Sequence, residues 1–318
     1  EAISVELEVQ GHRLAPTASM GVAISTPVST PTSLLRDADA AMFRGKEEGK
    51  ARWHLFDDSM HVQAVSRLVL ESELRDALAA REFVPYYQPI VSLPDGVVLG
   101  HEALIRWNHP TRGVLAPGAF LDAAEQSGLI VGMGQQILEQ VCSLLAARPE
   151  LPGTISVNAS GVELASKGWL DTFLRTVELF GVDPRRLVVE VTETAVLQAK
   201  EKTRRDLEAL RAVGVGVHID DFGTGYSSIS LLRDLPVTGV KLDRSFVDDL
   251  TEKDGPGNAL VAGVAGLASG LLVRGIAEGI ETRDQVRALV RLGWNVGQGY
   301  LFARPAPEPA RAGILPAD

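Results

Sequence analysis

The sequence has almost no cysteine, since Cys142 is the one cysteine among 318 residues and cannot form an intrachain disulfide. Cys142 lies in a segment with helical spacing, 137–147, and we expect it to be a small buried apolar residue. The sequence also lacks a signal peptide and any apolar run of about 18 residues. We therefore expect a cytoplasmic region that makes no membrane contact, with room for an anchor in a longer parent chain upstream.

Positive charge is scarce as well. Lysine and arginine together number 31 against 41 aspartates and glutamates, which gives a formal net charge of −10. This balance argues against binding to nucleic acid or to anionic membranes. An acidic protein that binds a phosphorylated ligand needs cations in its binding site.

Residues 1–57 predict a small set of elements: an alternating strand, a second alternating strand through Met20, Val22 and Ile24, a helix, and a strand near Trp53. This set is too small for an independent domain. Residues 58–82 are polar and then helical, with an apolar stripe on one side, and we interpret them as a connecting helix.

From Phe83 onward, short apolar runs alternate with helical stretches and with Gly/Pro punctuation. One helix is expected over Pro117–Gln126, with Pro117 near its start and Gly128 past its end. Six or more strand–helix alternations indicate a parallel α/β fold. The available length of about 230 residues suits a TIM-like (β/α) barrel, preceded by the N-terminal α+β region.

Two adjacent carboxylates, Asp220 and Asp221, end the apolar run that precedes them and are followed by a glycine-rich turn. Adjacent carboxylates repel each other, and a divalent cation would relieve that repulsion. Taken alone, the stretch is more typical of an Asp-rich turn with helix-capping serines than of a metal site. His218 points the same way as Asp220 along the strand, as barrel-interior packing or as a perturbing neighbour, and we expect packing.

Polar residues end or follow nearly every apolar run, and the C-terminal ends of barrel strands share one rim. The set comprises Glu102, Asn158, Glu190, Asp220 with Asp221, Lys241 with Asp243, Glu278 and Gln298. Hard oxygen ligands without His or Cys select Mg²⁺ or Mn²⁺. A shared aspartate with a second one beside it suits two ions that prepare water to attack a phosphodiester. Lys241 would offset charge on a phosphate oxygen or orient the water.

Eight motifs in series resemble the EAL family of cyclic di-GMP phosphodiesterases, from about Phe83 to Pro305. They are the stretches 87–90 (YQPI), 102–107 (EALIRW), 156–158 (SVN), 190–193 (EVTE), 220–228 (DDFGTGYSS), 241–243 (KLD), 278–282 (EGIET) and 298–302 (QGYLF).

The resemblance implies a role for each matching residue. Glu102, Asn158, Glu190 and Asp220 would hold one metal ion, with Asp220 bridging to a second ion near Asp221, and Asp243 completes the candidate ligand set. Lys241 would contact the attacking water, Gln298 would orient it, and Glu278 would be a metal ligand or the general base. Substrate would be held by Gln88 and Arg106, with Glu281 and Tyr300 near it.

The resemblance further implies cyclic di-GMP as substrate and linear pGpG as product. Glu193 would steady the loop after Asp221 and thereby support a homodimer through the EAL domain and coupling to upstream sensors. Residues 1–57 resemble the last third of a GGDEF (diguanylate cyclase) domain, and the resemblance is carried by the sequences of residues 18–23, 34–43 and 44–49. The signature of that family would lie before Glu1, so no cyclase activity is expected of this region.

Two other functions compete with hydrolysis. A degenerate EAL domain would bind cyclic di-GMP as a receptor without cleaving it, but such members usually lose a metal ligand or the lysine, and all of these are present here. An unrelated metal-dependent phosphohydrolase barrel would not explain eight motifs in the same order. Product formation from cyclic di-GMP distinguishes the enzyme from the receptor.

Overall fold

The computed structural model describes residues 7–9, 12–14, 17–27, 29–47, 51–197, 201–223, 235–248, 250 and 256–310. The chain divides into two compact units, Glu1–Glu73 and Leu74–Asp318, and each is described by itself. Part of the Asp220–Ser228 motif, from Thr224 onward, lies outside the described residues.

The first unit contains a short hairpin and a β-α-β arrangement. Strands β1 (Leu7–Val9) and β2 (His12–Leu14) pair antiparallel, and β3 (Met20–Val22) pairs parallel with β4 (Trp53–Leu55) across helix α1 (Pro31–Glu47). The residues expected to form one second strand thus form two separate strands. A Cβ atom at Gly21 would overlap the backbone of Ala38, so the glycine permits the close approach of β3 to α1. Helix α2 (Asp58–Ala79) follows.

The second unit is a barrel of eight strands. The strands are β5 (Phe83–Ser92), β6 (Val98–His109), β8 (Thr154–Asn158), β9 (Leu187–Thr192), β10 (Gly216–Phe222), β11 (Gly239–Leu242), β12 (Arg274–Ala277) and β13 (Val296–Gly297), and β7 (Gly113–Leu115) adds to the outer end of β6. The pairing of β5 with β6 closes the sheet. The predicted barrel is confirmed.

The barrel departs from the expected parallel arrangement at β5. This strand pairs antiparallel with both β6 and β13. The five residues between β5 and β6, 93–97, allow a hairpin, whereas a parallel pair needs a crossover of a dozen or more residues. Strand β13 has two residues, too few to leave an apolar run in the sequence.

The described helices surround the barrel and bury its outer face. Between the strands they are α3 (Leu121–Ser127), α4 (Ile130–Ala147), α5 (Gly161–Ala165), α6 (Trp169–Leu179), α7 (Glu193–Leu197), α8 (Glu201–Val213), α9 (Arg244–Asp248), α10 (Pro256–Gly270) and α11 (Arg283–Arg291), with 3-10 turns at Pro117–Ala119 and Pro184–Arg186. Helix α3 ends at Gly128 in the left-handed conformation, as expected. The helix predicted to start at Pro117 begins as a 3-10 turn. Cys142 is buried in the core on α4.

Among the described residues, no single helix is long and apolar enough to cross a bilayer. The helices Leu121–Ser127 and Ile130–Ala147 reach that length and composition only as a pair, and the pair is bent by 115°.

Candidate functional site

The barrel strands bring the predicted polar residues together around Lys241. Glu102 lies opposite Gln88 in the β5–β6 pair, and Asn158, the last residue of β8, lies beside Glu190 of β9. Glu102 does not end its strand, because β6 runs on to His109; the parallel pairing of β6 with β8 stops at Ala103, so Glu102 still lies at the barrel rim.

Lys241 contacts four carboxylates with a side chain that is 1% exposed. Its Nζ atom lies 2.6 Å from Glu278 Oε1, 2.7 Å from Glu190 Oε2, 3.2 Å from Glu102 Oε2 and 3.3 Å from Asp220 Oδ1. One ammonium group cannot neutralise four carboxylates at once, so the cluster needs further protons or cations.

Two amides link this cluster further. Gln298 Nε2 donates to Glu102 Oε2 at 2.7 Å and to Glu278 Oε1 at 3.1 Å. Asn158 Nδ2 donates to Glu102 Oε1 at 2.9 Å. The carboxylate of Glu102 is therefore held through both of its oxygens.

The pKa shifts follow from burial and from the shared lysine. Burial raises the pKa of Glu190 to about 7 and that of Asp220 to about 6, against the opposing charge of Lys241. Burial also raises the pKa of Glu278 well above its ordinary value. Burial alone would raise the pKa of Glu102, but Lys241 and the two amides outweigh it and leave that pKa lowered.

The lysine itself stays protonated. Burial opposes its charge, but Glu102, Glu190, Glu278 and Asp220 together raise the pKa of Lys241 well above its ordinary value. Lys241 is therefore a cation and a hydrogen-bond donor at neutral pH.

Three of the carboxylates could hold a metal ion. Glu102, Glu190 and Asp220 each offer an oxygen, and these oxygens lie within 4.8 Å of one another. Glu190 Oε1 is buried without a hydrogen-bond partner among the described residues, although a buried acceptor normally has one. A hard divalent cation bound by oxygen ligands fits this donor set.

Asp221 and Asp243 lie at the edge of this cluster. Asp221 adopts a positive φ of 53°, uncommon for a residue with a side chain, and burial and the charges of Asp220 and Asp243 raise its pKa. Asp243 accepts hydrogen bonds from the backbone nitrogen and hydroxyl of Ser245, at 3.0 and 2.5 Å, at the start of α9. The structure thus gives Asp243 a helix-capping contact as well as a place near Asp221.

Glu193 contacts the segment that follows the two aspartates. Its Oε2 atom accepts a hydrogen bond from the backbone nitrogen of Gly223 at 3.2 Å, and the residue is buried. Glu193 is expected to steady the loop after Asp221, and the part of that loop beyond Gly223 lies outside the described residues.

A cavity of about 460 Å³ opens over the cluster. Three of the four predicted substrate residues, Gln88, Glu281 and Tyr300, line it. Arg106 does not: its guanidinium donates to Ile105 O at 2.8 Å and lies 5.7 Å from the ring centre of Tyr86. Burial lowers the pKa of Arg106, and the fields of Tyr300, Tyr86 and Glu102 oppose that shift.

Three charged residues of the cavity lining were not identified from the sequence. Arg244 pairs with Glu281 at 2.9 Å and with Asp248 at 3.0 Å, and Glu125 and Glu163 lie on the side formed by helices. The spacing Ser160-x-x-Glu163 is that of a capping box and marks a helix start, which the structure confirms, but it carries no information about a cavity.

His218 packs inside the barrel, as expected. Its ring occupies the space over Gly239, where a Cβ atom would lie 2.5 Å from His218 Cδ2. Its Nδ1 atom lies 3.9 Å from Glu190 Oε1, and burial and Lys241 lower the pKa of His218 to about 3. The ring is therefore a neutral neighbour of the acidic cluster.

The eight-stranded barrel and the acidic cluster around a buried lysine at its rim place the chain among TIM-like (β/α) barrel proteins with a candidate metal site. The EAL domain family model matches residues 71–305, and the chain belongs to that family.

Individual relatives agree with this assignment. The chain is 38% identical over 311 residues, 96% of its own length and 45% of the relative's, to the bifunctional diguanylate cyclase/cyclic di-GMP phosphodiesterase MucR of Pseudomonas aeruginosa. It is 36% identical over 319 residues, 98% of its length and 40% of the relative's, to the cyclic di-GMP phosphodiesterase NbdA of the same organism. The structure of the PaMucR phosphodiesterase in complex with c-di-GMP superposes with a TM-score of 0.71 at 39% identity, over 75% of this chain and 97% of that one. The chain thus spans half or less of the length of these two curated relatives.

Proposed function

We propose that this chain hydrolyses cyclic di-GMP to linear 5′-pGpG in bacterial second-messenger signalling. The observation that carries the proposal is the set of four carboxylates around Lys241, three of them placed to share a cation, beneath a cavity of about 460 Å³. Relatives named as cyclic di-GMP phosphodiesterases support the choice of substrate.

The cofactors in this proposal are two divalent cations, Mg²⁺ or Mn²⁺. Glu102, Asn158, Glu190 and Asp220 would hold one of them, and Asp220 with Asp221 and Asp243 would hold the other. Such ions, when bound, acidify water and neutralise charge on a phosphodiester. The unpartnered Oε1 atom of Glu190 supports a ligand role for that residue.

The residues of the chain have separate tasks in the reaction. Lys241, which stays protonated, donates to the attacking water and offsets charge that develops on a phosphate oxygen. Glu278 would be a metal ligand or the proton acceptor, because its carboxylate lines the cavity and burial raises its pKa against the opposing charge of Lys241. Gln298, which already donates to Glu278 and Glu102, orients the water.

Substrate is held across the cavity mouth. Gln88, Glu281 and Tyr300 contact the dinucleotide directly. Arg106, which lies beside Tyr86, also helps to hold the substrate. Arg304 lies 4.2 Å from the ring centre of Tyr300, which steadies that ring as a surface for a base.

The proposal also covers the oligomeric state, the domain organisation and the cellular location of the chain. Glu193 steadies the segment after Asp221 and supports a homodimer formed through the EAL domain. Residues 1–57 would be the end of a GGDEF-like domain, residues 58–82 the connecting helix and residues 83–318 the phosphodiesterase barrel, with the site in the cytoplasm.

Incubation with cyclic di-GMP and Mn²⁺, followed by chromatography, tests the proposal. We expect pGpG to accumulate, and tight binding without product would instead support a receptor. Ca²⁺ should support binding but not cleavage, because its larger and looser shell places water poorly. Equal rates with Ca²⁺ and Mg²⁺ would contradict the proposed role of the metal.

A further inference from the structure

The cavity has a second side that the proposed chemistry does not use. This side, here called the helical wall, comprises Pro117, Leu121, Glu125, Ile130, Gly134, Ile137 and Glu163. Most of these residues are apolar, and two are carboxylates. An apolar surface with a few convergent polar groups is typical of a site for a planar ligand group.

Glu163 has one carboxylate oxygen assigned to structure and one left over. Its Oε2 atom accepts from the backbone nitrogen and from the hydroxyl of Ser160, both at 2.8 Å, which caps helix α5. Its Oε1 atom accepts no hydrogen bond from any described residue, although the residue is only 5% exposed. A Cβ atom at Gly134 would overlap Oε1, so the glycine leaves the room that this oxygen occupies at the cavity wall.

Among the described residues, the helical wall also lacks a cation of its own. The two basic residues described in the cavity lining, Lys241 and Arg244, pair with other carboxylates. Burial raises the pKa of Glu163 to about 7 against the two hydrogen bonds from Ser160, and the charge of Glu125 adds to that rise. Both residues line the cavity, and neither carboxylate pairs with a basic residue among those described. A ligand that brings two hydrogen-bond donors would satisfy them.

We infer that Glu163 and Glu125 read the Watson–Crick edge of one guanine base of the substrate against the helical wall. Guanine presents adjacent donors there, the N1 hydrogen and the N2 amino group, whereas adenine presents an acceptor at N1. The inference rests on the proposed function, because it assigns a base of the proposed substrate to this wall.

The test compares cyclic di-GMP with cyclic di-IMP, which lacks the N2 amino group. The wild-type protein should bind cyclic di-GMP about tenfold to a hundredfold more tightly by calorimetry, the effect of one hydrogen bond to a charged group. Glu163→Gln keeps an acceptor for the helix cap but loses the carboxylate. It should raise the KM for cyclic di-GMP with little change in kcat, and it should remove most of the preference between the two dinucleotides.

A second variant guards against a folding defect. Glu125→Gln alters a half-buried residue on α3 and should reduce the same preference, and Gln126→Ala, an exposed change on the same helix, should leave it at the wild-type value. Retention of the wild-type preference by both Gln variants would overturn the inference, as would equal weakening of both dinucleotides.

Failure of the proposed function would look different. In that case the wild-type protein would form no pGpG from cyclic di-GMP, whether or not it binds the dinucleotide. The base preference is read from dissociation constants and does not depend on cleavage.

Discussion

Buried carboxylates lie on both sides of the cavity, but their neighbours differ. At the strand ends, four carboxylates surround the ammonium group of Lys241. On the helical wall, Glu163 and Glu125 share no cation from the described part of the chain, and one oxygen of Glu163 accepts the hydrogen bonds of the helix cap. The neighbours of a buried carboxylate therefore decide what it can bind. A cluster with excess charge favours metal ions, and an isolated acceptor favours a neutral ligand with donors.

The largest expected effect comes from the strand-end side. Glu102→Ala removes an oxygen ligand and the acceptor of both amides, so turnover of cyclic di-GMP should fall at least about a thousandfold, or ~4 kcal/mol of transition-state stabilisation. Metal affinity, measured by calorimetry, should fall with it. Glu139→Ala, which breaks the outlying pair with Arg81, serves as the control and should stay near the wild-type rate. Full turnover by Glu102→Ala would remove Glu102 from the ligand set.

The second effect concerns stability rather than turnover. Lys241→Met leaves four buried carboxylates without their cation and should lower the free energy of unfolding by about 3–5 kcal/mol in urea with a chelator present. Added Mn²⁺ should restore part of this loss, because the ions replace the missing charge. The control Lys202→Met breaks a half-exposed pair with Asp206 and should cost less than about 1 kcal/mol. An equal loss for the two variants would mean that the buried lysine carries no special electrostatic role.

These two residues also show how far sequence reasoning reaches. Glu102 and Lys241 were identified because parallel strands place their C-terminal ends at one rim, a rule that needs only the strand order. Strand β6 continues past Glu102 because it forms a hairpin with β5. A rule for parallel strands does not predict this extension. It also misses Glu163, whose local pattern specifies a helix cap and whose burial against Gly134 depends on how α4 packs on α5. Local patterns gave the strand-end chemistry, and tertiary packing set the opposite wall.

The third effect is a pH dependence of stability, and a metal ion separates the contributions of the two sides. Without metal, the folded-state pKa values of Glu190 and Asp220 lie at about 7 and about 6, above their ordinary values of 4.5 and 3.8. The folded state then binds more protons than the unfolded state, so stability should fall as pH rises from about 4.5 to 7, by an amount on the order of 2 kcal/mol. Glu102, with a lowered pKa, contributes in the opposite sense only below about pH 4.5.

Urea titrations at several pH values in the presence of a chelator measure this slope. Saturating Mg²⁺ should reduce it, because bound cations hold Glu190 and Asp220 in their charged form, whereas Glu163, whose pKa burial raises to about 7, keeps its share of the slope. The variant Glu190→Gln should reduce it without metal. A chelated wild-type protein whose stability rises steadily across this range would contradict the pKa assignment.

The smallest effect tests a third way to satisfy a buried carboxylate. Glu193 accepts from the backbone nitrogen of Gly223, just after Asp221, instead of meeting a metal or a base. Glu193→Ala should lower kcat about tenfold, the value of one hydrogen bond to a charged group, because the Asp220–Asp221 segment is then less well placed. Glu193→Gln keeps an acceptor oxygen and should retain most of the rate. If the Gln and Ala variants show the same fall in kcat, the negative charge of Glu193 matters more than its hydrogen bond. Glu193 would then act electrostatically, as the strand-end carboxylates do.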